Sequence, residues 1–133
     1  MKTVFIDTSA FYALFNSDDP HHSAAVSFYQ EEPFLLITTN YVFAELLSLL
    51  TKRQGKPTAV ACGTQIRASQ NLRIIHLNEG VVNRAWGIFT RYKDKKYDLI
   101  DCLSFVCMDE FNLSHAFAFD RHFAQHGYHL VPS

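Results

Sequence analysis

Short, continuously apolar runs alternate along this chain with longer stretches that mix apolar and polar positions. The apolar runs predict strands at about residues 2–6, 34–38, 73–76, 116–119 and 128–131. The mixed stretches predict helices at about residues 9–16, 21–31, 41–54, 58–69, 79–92, 99–112 and 121–125. Fully apolar strands that alternate with helices are typical of a parallel sheet covered on both faces. We therefore predict an α/β fold built on a buried parallel sheet.

Polar residues mark the starts of three predicted helices. Asn40, Asn78 and Asp98 each precede a helical stretch, and a side-chain oxygen at such a position can cap the first turn. Gly55 and Pro57 end the helix that follows Asn40, because glycine often terminates helices and proline cannot continue them.

Size and composition indicate one globular domain spanning residues 1–133. The chain is 48% hydrophobic and carries a net charge of -1, which excludes disorder and any general attraction to nucleic acid or anionic membranes. A strand begins almost at Met1 and no apolar run is long enough to span a bilayer, so we expect a cytoplasmic protein. The cysteines lack a Cys-x-x-Cys spacing, and we expect reduced, buried thiols at Cys62, Cys102 and Cys107.

Four acidic residues lie where a folded chain would normally avoid charge. Asp7 and Asp120 each directly follow a predicted strand, whereas Glu45 and Asp101 interrupt apolar helical stretches. A buried, unpaired carboxylate costs several kcal/mol, so such groups persist when something cationic compensates them. Sites in parallel sheets form beyond the carboxyl ends of the strands, which is where Asp7 and Asp120 are predicted to lie. We refer to these residues together as the four acids.

Each acid except one has a simpler explanation when it is considered alone. Asp7 and Asp120 could cap the helices that follow them, and Asp98 with Asp101 resembles a capping box. Glu45 has no such explanation, because it lies within a helix among apolar neighbours. Considered together, carboxylates from several strand ends suit the binding of Mg²⁺. They also suit a pair of ions roughly 4 Å apart that act on a phosphoryl group.

Zinc is not expected, because histidine and cysteine do not recur regularly among these acids. His122 and His126 have the spacing of one helix face, but Gly127 breaks that helix at once and no third ligand is evident. We therefore interpret the histidines as surface residues.

Four segments in order along the chain resemble the signatures of PIN-domain nucleases, and most closely the toxin ribonucleases of the VapC type. The segments are residues 4–9, 44–45, 101–105 and 119–123, and the resemblance spans essentially the whole chain. It implies a three-layer α/β/α fold with a five-stranded parallel sheet. It also implies a Mg²⁺- or Mn²⁺-dependent endoribonuclease that holds one or two ions through the four acids. An RNA substrate, a small antitoxin protein and a homodimer are the implied partners.

The chain departs from the family pattern at two positions. Asp98 stands where relatives often carry an uncharged residue, and we interpret it as the cap of the helix on which Asp101 acts as the ligand. Ala118 stands where relatives often carry a hydroxyl residue, which removes one contact to water or substrate.

Further residues are candidates for weaker roles around the metal or the RNA. Thr8 and Ser9 follow the first acid, and their hydroxyl groups can bind a phosphate or a metal-bound water. The four acids make the cleft anionic, so RNA needs cations nearby for its flanking phosphates. The best local sources are Lys93, Lys95, Lys96 and Arg121.

Three alternatives to a toxin nuclease stay open at this point. The protein could be a PIN-family nuclease of RNA processing outside a toxin–antitoxin system. It could also be a phosphotransfer enzyme with Asp7 as the nucleophile, although Ser9 stands where dehalogenase-like phosphatases carry an acid. A binding module without activity is the third alternative, but a scaffold has no need for mutually repelling carboxylates.

Overall fold

The computed structural model describes residues 1–31 and 33–133, and within them the chain forms five strands and seven helices. The strands are β1 (Lys2–Ile6), β2 (Phe34–Thr39), β3 (Leu72–Ile75), β4 (His115–Phe117) and β5 (His129–Val131). The helices are α1 (Thr8–Phe15), α2 (His22–Glu31), α3 (Asn40–Gln54), α4 (Lys56–Ala68), α5 (Glu79–Arg91), α6 (Leu99–Glu110) and α7 (His122–Gln125).

The strands form one parallel sheet in the order β3-β2-β1-β4-β5, which confirms the predicted α/β fold. The chain builds the sheet from β1 through β2 to β3, and then returns to place β4 on the other side of β1. The point where the strand order reverses therefore lies between β1 and β4. In open parallel sheets, ligands bind beyond the carboxyl ends of the strands at this point.

The centre of the sheet is buried on both faces. Val4, Phe5 and Ile6 are consecutive residues of β1, and each is at most 1% exposed. Because successive side chains of a strand point to opposite faces, both faces of β1 must be covered. On α6, the eight consecutive residues 101–108 are buried, so this helix lies inside the domain rather than on its surface.

Asn40 does not cap α3, so that prediction was wrong. Thr39 has the extended backbone of an N-cap, and its Oγ1 accepts a hydrogen bond from the Val42 N–H at 3.1 Å. Asn40 is already the first helical residue, and its side chain instead accepts a hydrogen bond from the Leu77 N–H at 3.0 Å. Both residue types are good caps, and the backbone conformation decides between them.

Two other predicted caps and the glycine after α3 agree with the structure, but Pro57 lies in the first turn of α4, which begins at Lys56 rather than near residue 58. Asn78 and Asp98 cap α5 and α6 through their side chains. Gly55 follows α3 with a φ of +94°, a conformation that favours glycine. The last two strands are shorter than predicted. β4 ends at Phe117 and leaves two residues before Asp120 to form a turn, and β5 begins only at His129.

The three cysteines are buried free thiols, as predicted. Burial raises the pKa of Cys102 to about 11 and that of Cys107 to about 12, so both stay protonated and unreactive. Among the described helices, none is long and apolar enough to cross a membrane.

Candidate active site

The four acids line one cleft at the carboxyl edge of the sheet. Asp7 follows β1 and Asp120 follows β4, the two strands that flank the reversal of strand order. Glu45 reaches the cleft from α3 and Asp101 from the first turn of α6. The cleft has a volume of about 330 Å³, and its lining is completed by Thr8, Ser9, Leu49 and Asp98. Side chains from four separate parts of the chain therefore meet in one place.

Asp7 is held at the start of α1 by the next residues of the chain. Its Oδ2 accepts hydrogen bonds from the Ser9 hydroxyl at 3.0 Å and from the Ser9 N–H at 3.4 Å. The Ser9 Oγ in turn accepts the Phe119 N–H at 2.9 Å, which links the end of β1 to the turn before Asp120. Asp7 is 5% exposed, and burial raises its pKa to about 6, with the charge of Asp120 adding to the rise.

Glu45 is oriented from the neighbouring helix. The Thr8 hydroxyl donates a hydrogen bond of 2.6 Å to Glu45 Oε1, which joins the start of α1 to α3. Thr8 is 8% exposed, so this bond forms at the buried wall of the cleft. Thr8 and Ser9 thus act on the first two acids as hydrogen-bond donors. Their predicted contacts with phosphate or water stay predictions.

Asp98 and Asp101 form a capping box at the start of α6. The Asp101 N–H donates to Asp98 Oδ1 at 2.7 Å, and the Asp98 N–H donates to Asp101 Oδ2 at 3.0 Å. Asp101 therefore caps its helix and faces the cleft with the same carboxylate. Burial, together with the neighbouring charge of Asp98, raises the pKa of Asp101 to about 7.

His122 lies in this site, so its interpretation as a surface residue was wrong. Its Nδ1 is 2.7 Å from Asp101 Oδ2 and 3.2 Å from Asp120 Oδ1, and its side chain is only 26% exposed. Its backbone N–H also donates to Asp120 Oδ1 at 2.9 Å. Potential ligand atoms of Asp101, Asp120 and His122 lie within 4.8 Å of one another. The imidazole joins two of the four acids.

Aromatic contacts fix the position of the His122 ring. Tyr97 is 6% exposed and meets His122 edge to face, with ring centroids 5.6 Å apart. His126 was also predicted at the surface, but it is half-buried and stacks on Phe105 at 4.3 Å. The sequence feature that could have indicated a role for His122 is its position two residues after Asp120, the acid that follows a predicted strand.

The predicted basic residues lie in different positions around the cleft. Lys95 and Lys96 line a neighbouring pocket that includes His122. Lys93 and Arg121 are exposed and lie outside the lining of both pockets. The structure therefore brings two of these four residues next to the site.

The donor chemistry of the cleft suits a hard divalent cation. The four acids supply carboxylate oxygens, which Mg²⁺ and Mn²⁺ prefer. Burial and mutual repulsion raise the pKa values of Asp7 and Asp101, so holding both ionised is unfavourable unless a positive charge compensates them. A cation bound among the four acids would meet that requirement.

Comparisons with known proteins support a nuclease site. The sequence model of the PIN domain matches residues 4–127. The 23S rRNA-specific endonuclease VapC20 of Mycobacterium tuberculosis is 33% identical over 125 residues, which cover 94% of this chain and 95% of that protein. Its crystal structure, described as a Sarcin-Ricin loop cleaving toxin, matches with a TM-score of 0.88 over 94% of this chain and 95% of that one.

Two further matches are more distant in sequence. Ribonuclease VapC26 of M. tuberculosis is 27% identical over 122 residues, covering 91% of this chain and 90% of that protein. The structure of VapBC2 from Rickettsia felis, bound to a DNA fragment from their promoter, matches with a TM-score of 0.68 at 14% identity and 96% coverage of both chains. At that identity the match shows a shared fold alone.

Without a bound cation, we expect the protein to lose stability as the pH rises. Asp7 and Asp101 have folded-state pKa values of about 6 and about 7, above the ordinary value of 3.8. Both groups therefore bind protons more tightly in the folded chain, and the stability that this contributes is lost as the pH rises through those values. In chelating buffer, the Tm should fall between about pH 4 and about pH 7. The fall in Tm should be smaller in Asp7→Asn/Asp101→Asn than in the exposed control Asp18→Asn. Equal dependence of Tm on pH in the two variants would contradict the claim that Asp7 and Asp101 cause the fall.

Substitutions at His122 should show whether its side chain acts as a hydrogen-bond donor or only fills space. Asparagine can place an N–H near the position of Nδ1, whereas glutamine places it near Nε2. Since Nδ1 contacts Asp101, we expect His122→Asn to keep most of the stability at about pH 8. We expect His122→Ala and His122→Gln to lose about 1.5–3 kcal/mol, the usual contribution of a hydrogen bond to a charged group. Denaturant unfolding measures this, with the exposed His129→Ala as control, and equal stability of the Asn and Gln variants would refute the donor role.

Proposed function

This chain belongs to the PIN domain family, and from that premise we propose that it is an endoribonuclease dependent on Mg²⁺ or Mn²⁺. The observation that carries the proposal is the meeting of the four acids in one cleft beyond β1 and β4. The names of VapC20 and VapC26, an endonuclease and a ribonuclease, support the same reaction. Family membership disfavours the alternative in which Asp7 is a covalent phosphotransfer nucleophile.

The residues proposed to hold the cation are Asp7, Glu45, Asp101 and Asp120. When bound, a divalent cation supplies neutralising charge at a phosphate and lowers the pKa of water. The protein supplies the orientation of the ligands. Ser9 directs Asp7, Thr8 directs Glu45, and His122 keeps Asp101 beside Asp120. Hydrogen bonds of this kind fix the orientation of carboxylates that bind a cation.

Hydrolysis by water has a defined outcome for RNA. Attack on phosphorus by water does not use the ribose 2′-OH, and it leaves a 5′-phosphate and a 3′-hydroxyl. As a specific substrate we propose 23S rRNA, because the relative with 33% identity over nearly its whole length carries that substrate in its name. The Sarcin-Ricin loop named for the VapC20 structure is the first segment to test.

We also propose that the nuclease is the toxin of a toxin–antitoxin pair, with a small protein antitoxin as its partner. The description of VapC20 as a toxin supports this role. An apolar groove of about 510 Å³ between α3 and α4 offers a surface for such a partner, and it is lined in part by Phe43, Leu47, Ala59 and Val60. The homodimer implied by the family resemblance stays a prediction. The alternative is a PIN nuclease of RNA processing, and a neighbouring gene for a small DNA-binding protein would favour the toxin.

Removing one acid should abolish cleavage and cation binding together. We expect Asp7→Asn to lower the cleavage rate by at least about 100-fold, since loss of groups that merely support a metal ligand already costs about 10–100-fold. We expect Mg²⁺ or Mn²⁺ at about 100 times its Kd to stabilise the wild type by about 2.7 kcal/mol, with little effect on Asp7→Asn. Asp18→Asn, an exposed change of the same kind, should behave as the wild type. Equal cleavage by wild type and Asp7→Asn, or full cleavage in chelator, would overturn the proposal.

Sequencing RNA ends after brief expression should identify the substrate. We expect new 5′-phosphate ends within 23S rRNA in cells that express the wild type, and none in cells that express Asp101→Asn. Ends confined to other RNAs would contradict the 23S rRNA proposal while keeping the nuclease. Ends with a 5′-hydroxyl would contradict hydrolysis by water.

A further inference from the structure

A second pocket lies directly beside the carboxylate cleft. It has a volume of about 340 Å³ and is lined by Asp94, Lys95, Lys96, His122 and Gln125. His122 belongs to both regions, since its Nδ1 contacts Asp101 at 2.7 Å while the residue also lines this pocket. A ligand that spans the two regions would therefore pass His122. We refer to this region as the lysine pocket.

The lysine pocket supplies the charge that the carboxylate cleft lacks. Of the described residues that line the cleft, none is lysine or arginine. A polyanion whose scissile phosphate enters that cleft needs cations for its adjoining phosphates. Lys95, Lys96 and the Gln125 amide are donors of the required kind. Lys95 Nζ lies 3.9 Å from Asp94 Oδ2, but their side chains are 39% and 77% exposed, and such surface pairs are weak. Asp94 therefore leaves Lys95 available.

The loop that carries the two lysines is anchored at both ends. The Lys95 N–H donates to the Tyr92 carbonyl at 3.2 Å. Tyr97 is buried and its ring lies 5.3 Å from that of His126 and 5.6 Å from that of His122. Tyr92 contacts His126 as well, at 5.4 Å. The backbone of Lys95 and Lys96 is thus held between two tyrosines that pack on His126, the residue after α7, and α7 itself carries His122 and Gln125.

We propose that the lysine pocket is a subsite for a backbone phosphate of RNA adjoining the phosphate that is cleaved. Lys95, Lys96 and Gln125 bind its oxygens, and His122 forms the wall between the two phosphate positions. The subsite contributes affinity and register along the strand rather than base recognition, because phosphate contacts carry no sequence information. It rests on the proposed function, since its ligand is the same RNA.

The test is the salt dependence of RNA binding by a cleavage-deficient protein. The parent is Asp7→Asn with Mg²⁺ present, and the probe is a labelled single-stranded RNA oligonucleotide titrated at several KCl concentrations. Loss of one phosphate contact should reduce the slope of log Kobs against log salt by about 0.7 for single-stranded RNA. We expect that reduction in Lys95→Gln/Lys96→Gln, with weaker binding of every sequence tested, and the parent slope in the charge-preserving Lys95→Arg/Lys96→Arg.

A matched control removes the same charge elsewhere. Lys52 and Lys56 line the groove between α3 and α4, so Lys52→Gln/Lys56→Gln should leave the slope at the parent value. An unchanged slope in Lys95→Gln/Lys96→Gln, or an equal reduction in the control pair, would overturn the subsite alone. A parent that binds no RNA would likewise overturn the subsite, whereas equal cleavage of RNA by the wild type and Asp7→Asn would overturn the proposed ribonuclease function, so the two failures are distinguishable.

Discussion

Repulsion among carboxylates gathered at one edge of a parallel sheet is the constraint on which the rest of this structure depends. Because β1 and β4 pair in parallel, their carboxyl ends meet, and the acids that follow them are brought together. Asp7 and Asp101 are each 5% exposed, and their pKa values are raised by burial. Such an arrangement is unfavourable for a scaffold and favourable for binding a divalent cation. The proposed cation-dependent cleavage of RNA follows from the meeting of these acids at the carboxyl edge of the sheet.

Hydrogen bonds from neighbouring side chains keep the acids in place, and these bonds also join separate elements of the fold. The Ser9 bonds link the end of β1 to the turn after β4, and the Thr8 bond links α1 to α3. His122 links α7 to the first turn of α6. The same contacts therefore orient the ligands and hold their supporting elements together. A site built in this way is preorganised, because little rearrangement is needed when a cation or substrate binds.

The pattern of continuous apolar strands between helices was sufficient to predict an α/β fold on a buried parallel sheet, whereas one five-stranded sheet in three layers was implied by the family resemblance. Asp7 and Glu45 were recognisable as candidates since charge next to a strand or inside an apolar helix is unusual. The place of His122 beside Asp101 was not predictable, because it depends on how α7 packs against α6 across 21 positions of sequence. The cap of α3 was also assigned wrongly, because Thr39 and Asn40 are both suitable and only the backbone conformation separates them.

The most direct test of a shared cation centre is anomalous diffraction from crystals equilibrated with Mn²⁺. If the account is correct, a manganese peak lies in the cleft between β1 and β4, within bonding distance of carboxylate oxygens of Asp7 and at least two of the other three acids. A peak bound elsewhere, in crystals of protein that cleaves RNA with Mn²⁺, would contradict it.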